Sequence, residues 1–366
     1  MDFLTRINAV LHHKEPDQVP FAPYDNLVPR GEFARELRNR GMGLCLRCST
    51  IWEESPNVTV ERRMEGDTVL VIYRTSEGDV SVRTKIHAGR IQDGSTLEME
   101  GMIAGVEDYD PVIFMIEDTV LHVDNDVYHG AVRDVGRDGI VRDYALEFSP
   151  YGAARYFFGG AYGLERWIYE QQDHPDHFAR LLQALEKRSE KRLQLMADSP
   201  AEFVAFGELD GVWGPDKFRQ YELDFYMEWL PFLQARGKIC ALHAHASNLK
   251  VFGDVVAELG FDVIEAFTPP PVGNLSLKEA REAWGEDTVI WINFPETLFW
   301  SGAEETKRYT TELLKSDAPG NALIIGFTEM GLWGAMDEKT ERVFKAGTLA
   351  IVEAIEEHGN YPVNDL

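Results

Sequence analysis

The sequence predicts an α/β fold, a (β/α)8 TIM barrel carrying an N-terminal antiparallel β elaboration. After residue 200, five short and continuously apolar runs alternate with amphipathic helical stretches. That is the pattern of repeated βα units, whose parallel strands are buried on both faces. No Gly-rich fingerprint follows any of these runs, so a nucleotide-binding doubly wound sheet has nothing to support it. At 366 residues and 44% hydrophobic, the chain can build one large barrel. We therefore expect a single barrel domain over 1–366, with a β meander inserted at about 55–122.

The elements follow in order. Residues 2–13 form a short helix, because Phe3, Ile7, Val10 and Leu11 share one helical stripe. Residues 19–24 are a first strand with prolines at its margins, and 31–40 a charged helix ended by Gly41-Met42-Gly43. From 43 to about 122 the texture is that of an elaboration on the barrel. β-Branched runs at 58–60, 68–73 and 80–84 are separated at hairpin spacing by Glu65-Gly66-Asp67 and Ser76-Glu77-Gly78-Asp79. Residues 111–116 read as one more strand. Residues 124–160 read as a long aromatic loop of little periodicity. Residues 164–197 are helical, with a break at Pro175. The regular part then places strands at 202–207, 239–242, 261–266, 288–292 and 321–326. The helices are at 215–236, 248–259, 276–284, 302–315 and 338–358.

Composition narrows the function. Thirty-six Lys+Arg against 62 Asp+Glu give a formal charge of -26. That argues against nucleic acid or an anionic membrane, and suits a neutral substrate or a partner with a basic patch. No apolar run is long enough for a bilayer, and residues 1–6 lack the basic-then-apolar order of a signal peptide. Three cysteines do not make a disulfide framework. Cys45 and Cys48 form a CxxC with no second pair and read as ordinary buried thiols. A reducing cytoplasm is the expected compartment.

Chemistry should lie at the C-terminal ends of the barrel strands. The run Ile239–Leu242 ends in His243-Ala244-His245, and residues i and i+2 of a strand face one way. The other strand ends supply Glu208 and Asp210, Glu265, Asn293 and Phe294, and Thr328 and Glu329. Histidines and carboxylates on converging strand ends are a ligand set for zinc or another borderline divalent metal. Blander roles exist for each: Asp210 can shape a turn, Glu265 can pair with an arginine on the barrel floor, and Glu329 can cap a turn. Aromatics also gather in these loops. Phe294, Trp300 and Trp333, with Tyr24 of the first strand, are the candidates to line a flat organic substrate.

The order of these features resembles the uroporphyrinogen decarboxylase superfamily, whose barrel also includes cobalamin-dependent methyltransferases. The landmarks are Arg6-Ile7-Asn8-Ala9-Val10, Pro16-Asp17-Gln18-Val19-Pro20, His243-Ala244-His245-Ala246 and Gly260-Phe261-Asp262-Val263-Ile264. The decarboxylases carry an Arg-Gln-Ala-Gly-Arg loop where this chain has Tyr24-Asp25-Asn26-Leu27-Val28-Pro29-Arg30. The missing arginine cluster counts against decarboxylation. In the methyltransferase branch zinc is held by a His-x-Cys pair and a later Cys. His243 matches the first ligand, His245 stands at the first Cys position and Glu329 near the second.

The resemblance thus implies a zinc site of His243 and Glu329 with Glu208 or His245, harder and more Lewis-acidic than one built on thiolates. The implied activity is O-demethylation. A methyl group passes from a small methoxylated, aromatic substrate to the cobalt of a corrinoid carried by a separate partner protein. Methoxybenzoate, methoxyphenol and non-aromatic donors all stay open, and a homodimer would not be surprising. The alternative is a metal-independent decarboxylase or lyase of the same barrel, with Asp210 and His243 as acid–base groups. A non-catalytic binding barrel ranks behind both.

Overall fold

The computed structural model describes residues 1–28, 30–86, 96–144, 148–159, 163–209, 213–245, 248–328 and 337–364. Its strands are β1 (Leu44–Cys48), β2 (Ile51–Glu54), β3 (Thr59–Glu65), β4 (Thr68–Thr75), β5 (Gly78–Ile86), β6 (Thr96–Glu100), β7 (Val120–Val123), β8 (Gly139–Tyr144), β9 (Phe203–Glu208), β10 (Ile239–His243), β11 (Val263–Phe267), β12 (Val289–Asn293) and β13 (Leu323–Gly326). The chain divides into two compact units. Met1–Thr50, Asn125–Leu146 and Ser199–Leu366 make one; Ile51–Asp124 and Glu147–Asp198 make the other.

The first unit is a curled parallel sheet flanked by helices, in the order β1-β8-β9-β10-β11-β12-β13. Its strands from β9 onward are apolar except near their C-terminal ends because both faces are covered, and β11 and β12 are buried at every position. Residues 20–24 lie beside both ends of this series. On one side Ala22 N–H donates to Ile325 O (2.7 Å) and Ile325 N–H to Pro20 O (3.0 Å). On the other, Gly43 N–H donates to Phe21 O and Cys45 N–H to Pro23 O, each at 3.0 Å. Inside, the Trp291 ring stacks on Phe203 at 6.0 Å and donates its indole N–H to Ala22 O (3.1 Å). Its polar atom is thus satisfied in a fully buried place.

Three sequence expectations are corrected here. Leu44–Cys48 is no part of the meander but a strand of the parallel sheet, paired in register with β8. Its partner was hidden because 124–160 is not a loop: it contains the helix Asn125–Val135, β8, and the helix Pro150–Ala154. β8 carries Arg142 and Asp143, two charged residues that are fully buried, so it lacks the apolar look of its neighbours. Asp143 is satisfied by Thr50, which donates both its N–H (3.1 Å) and its hydroxyl (2.5 Å). The helix expected over 215–236 is two, Pro215–Tyr221 and Leu223–Gln234.

The second unit holds the antiparallel meander β3-β4-β5-β6 and the separate ribbon β2-β7. The hairpins at 65–68 and 75–78 fall where the Gly-containing turns predict them. Residues 111–116, expected as a strand, lie in the helix Tyr109–Glu117. Its buried positions are Tyr109, Pro111, Val112, Ile113 and Ile116, and Tyr109, Val112, Ile113 and Ile116 follow a helical and not an alternating period. The helix Pro175–Asp198 follows Leu164–Asp173 across the expected proline break. Among the described residues no helix is long and apolar enough to cross a membrane.

Candidate active site

Two β-bulges shape the C-terminal edge of the parallel sheet. Between Ala205 and Glu208, β9 spends three steps where β10 spends two from Ala241 to His243. Gly207 absorbs the extra residue at φ +89°, a left-handed conformation that costs glycine little. β11 does the same against β12 between Ile264 and Phe267, with Ala266 at φ 58°. An alanine there is strained, and such strain persists only where the surroundings impose it. The β9 bulge brings Glu208 level with His243, and the unbroken register of β10 with β11 sets Glu265 opposite it on the other side. Main-chain bonds from Leu209 N–H to His243 O (2.9 Å) and from Ala244 N–H to Glu265 O (2.8 Å) fix this row.

Glu265 is the hub beneath it, with no exposed side-chain surface. Its Oε1 accepts from the Tyr24 hydroxyl at 2.5 Å, its Oε2 accepts from the Arg142 guanidinium, and the same Oε2 lies 3.4 Å from His243 Nδ1. Burial alone would raise its pKa, but Arg142, His243 and Tyr24 outweigh that and hold the carboxyl at about 2. An ionised carboxylate can only accept, so His243 Nδ1 carries a proton and the imidazole is held in one tautomer. Burial pushes the Tyr24 hydroxyl well above its ordinary value, so Tyr24 stays a neutral donor. Cys45 lies in the same layer, and burial raises its thiol to about 12.

Above the hub sit the other polar groups. His245 packs edge-on against His243, ring centroids 5.0 Å apart at 66°. His245 Nε2 is 3.3 Å from Glu208 Oε1. On the far side Asn293 ties three strand ends together. Its amide donates to the Thr268 hydroxyl (3.0 Å) and its carbonyl accepts from Thr328 N–H (3.0 Å). Thr328 is the residue before Glu329.

Of the residues singled out from sequence, His243, His245 and Glu208 are thus brought together. Tyr24 is buried on Glu265. Phe294 is buried and stacked on Phe299, centroids 5.7 Å apart. Trp300 is 54% exposed, with Lys339 Nζ 5.6 Å from its ring. Asp210, Glu329 and Trp333 lie outside the described residues. Among the described residues no three His, Cys, Asp or Glu side chains form a metal-binding group. Sequence reasoning missed Arg142 and Arg47, both on strands it took for other things. A cavity of about 360 Å³ on the outer face of β1, floored by Leu44, Leu46 and Met42, holds none of the site residues.

The chain shares its fold with a methyltransferase from Methanosarcina mazei. The two superpose over 98% of this chain and 99% of that one, with a TM-score of 0.54 and 15% sequence identity. At that identity the likeness is one of fold. No family model matches the sequence, and no curated protein does.

Two donors of the row, His245 and Glu208, are spaced as two ligands of one zinc ion would be. Two ligands on one tetrahedral zinc, each ~2.0–2.1 Å from it, stand roughly 3.3–3.4 Å apart. His245 Nε2 and Glu208 Oε1 already stand at 3.3 Å. His243, with Nδ1 turned to a carboxylate, has the partner that metal-binding histidines commonly use to set their tautomer.

Proposed function

We propose that this protein is a zinc-dependent methyltransferase that moves a methyl group from a methoxylated, aromatic substrate to the cobalt of a separate corrinoid protein. The observation that carries the reading is the row Glu208–His245–His243 at the C-terminal ends of parallel strands, backed by the buried Glu265. The fold shared with a methyltransferase adds support. In the same reading residues 20–24 are the eighth strand of a closed barrel, since their main chain bonds both β13 and β1.

Zinc would be held by His245, Glu208 and His243, with Glu329 as the further ligand. When bound it supplies Lewis acidity at the ether oxygen, which eases departure of the phenolate. The chain's own residues do the rest. Glu265 orients His243 and keeps its Nδ1 protonated. Arg142 and Tyr24 keep Glu265 charged and still. Asn293 fixes the main chain at Thr328, the residue before Glu329 in sequence. Trp300, with its exposed face, and Trp333 are the candidates to cover the substrate, while Phe294 and Tyr24, both buried, support that wall from behind.

The test is methyl transfer to free cob(I)alamin. Zinc-loaded protein with a panel of methoxylated aromatics should convert cob(I)alamin to methylcobalamin, seen in its absorption spectrum, and His243→Ala should not. No methylcobalamin across the panel would count against the reading. The His243–Glu265 pair also favours a second reading, a metal-independent lyase with His243 as acid–base group. Turnover of a carboxylic acid substrate that survives chelation would select it.

A further inference from the structure

We propose that β3, the outer strand of the meander, pairs antiparallel with β3 of a second copy of this chain, about a two-fold axis at Arg62. The two meanders then form one continuous sheet. The inference is independent of the methyltransferase reading.

β3 is an end strand of its four-stranded sheet, and every residue of it except the half-buried Glu61 is exposed. Glu65 and Thr68 pair across a two-residue turn in which Gly66 takes φ 70°. Such a turn closes on a hydrogen-bonded pair, and bonded and non-bonded pairs alternate from there. Glu65, Arg63, Glu61 and Thr59 therefore spend their main-chain groups on β4. The N–H and C=O of Met64, Arg62 and Val60 point the other way, along the outer edge. A row of such groups is a template for another strand.

The side chains select the occupant and the register. In a two-fold antiparallel pair, the patch on one copy meets the same patch on the other, and opposite residues share a face. Centred on Arg62, Glu61 of each copy faces Arg63 of the other, and Val60 faces Met64. The Glu61–Arg63 pairs fall at non-bonded positions, where side chains stand closer. A register centred on Glu61 sets that carboxylate against itself, and one centred on Arg63 sets Glu61 against Glu65. Arg62 does oppose its own copy, but two unlike pairs outweigh one like pair, and its long stem lets the head turn aside. Within one chain Arg63 already donates to Glu61 at 2.6 Å. A second copy extends that exposed pair into a network of alternating sign.

The apolar face agrees. Val60 and Met64 are 47% and 63% exposed. Across the strands their face runs through Val69, Val71 and Tyr73 to the buried Val80 and Val82. That face is covered at β5 and open at β3, and the second copy lays Met64 beside Val60 twice. The overall charge of -26 does not forbid the contact. The charges of β3 itself, Glu61, Arg62, Arg63 and Glu65, cancel, and exposed charges beyond ~8 Å are screened at physiological ionic strength.

The experiment is sedimentation equilibrium of the full chain at physiological salt, from about 1 to about 100 µM. Wild type should dimerise in that range. R63E sets acid against acid twice and should weaken the dimer by about tenfold or more. E61R/R63E restores the pairing with the signs exchanged and should return it to within about threefold of wild type; Arg74 keeps Asp79 as a partner throughout. R62P removes an N–H that only the second copy uses, so it should abolish the dimer while circular dichroism stays unchanged. A wild type that is monomeric at about 100 µM would overturn the inference. So would a dimer that R63E and R62P leave intact, or a double variant as weak as R63E.

Discussion

Replacing Arg142 with methionine should unfold the parallel-sheet unit far more easily, and replacing Glu265 as well should give most of that stability back. The side chains of Arg142 and Glu265 are 1% and 0% exposed, and they face each other across the interior. Arg142→Met leaves a fully buried carboxylate with two remaining partners, Tyr24 and His243. Removing one member of a buried ion pair costs ~3–5 kcal/mol. The two surviving hydrogen-bond partners argue for the lower end, about 3 kcal/mol. In Arg142→Met/Glu265→Leu neither charge is left behind, and such replacements are often close to neutral. Urea unfolding followed by tryptophan fluorescence reports this unit well, since Trp213, Trp229, Trp284, Trp291, Trp300 and Trp333 belong to it, against Trp52 and Trp167 in the other. With a slope of ~3 kcal/mol per molar urea, the single variant should lose about 1 M in midpoint. A single variant within about 0.5 kcal/mol of wild type, or a double variant no better than it, would refute the buried-pair reasoning.

Three further outcomes follow from the same contacts. Gly207→Ala must accept φ +89° and a Cβ 2.8 Å from the Tyr226 ring and 3.1 Å from that of Phe261. The conformation costs roughly 1–2 kcal/mol and the overlap about as much again, so thermal denaturation should show a loss of ~2–4 kcal/mol. Cys45, Cys48 and Cys240 are buried, and burial raises all three thiols, the first two to about 12. A thiol reagent at pH 8 should label none of them until denaturant is added, and rapid labelling of native protein would contradict this. Asp17 is raised by burial but brought down to about 2 by Arg6, at 2.7 and 3.2 Å, and by the N-terminal ammonium. A depressed carboxyl stabilises the fold above its unfolded value, ~3.9, and the benefit fades as pH falls toward 2. Melting temperatures between pH 2 and 6 should therefore fall less steeply for Asp17→Asn than for wild type.

The second half of the parallel sheet was legible because its strands are buried on both faces and their sequences say so. The first half was not, for reasons that can be named. Residues 19–24 are the exception, read as a first strand, and residues 20–24 bond both β13 and β1. β1 and β8 contain Arg47, Arg142 and Asp143, charges made tolerable by partners as far away as Glu265, 123 residues from Arg142. Spacing in sequence does not reveal such a partner. His243, His245 and Glu208 were found because the ladder of parallel strands brings the residues at strand ends into one row. The bulge in β11 had no signal, since Ala266 is not a residue that prefers a left-handed conformation; Gly207 in β9 was the only hint of its counterpart. Val112, Ile113 and Ile116 misled because β-branched residues suit strands, although their spacing was that of a helix.

We propose that the row of histidines and carboxylate binds zinc. The direct measurement is metal content by mass spectrometry of the protein grown with zinc, beside His245→Ala, Glu208→Gln and Glu329→Ala. Wild type should hold about one zinc per chain, lost or sharply reduced in each variant while circular dichroism stays unchanged. A wild type without zinc, or variants that keep it in full, would contradict the account.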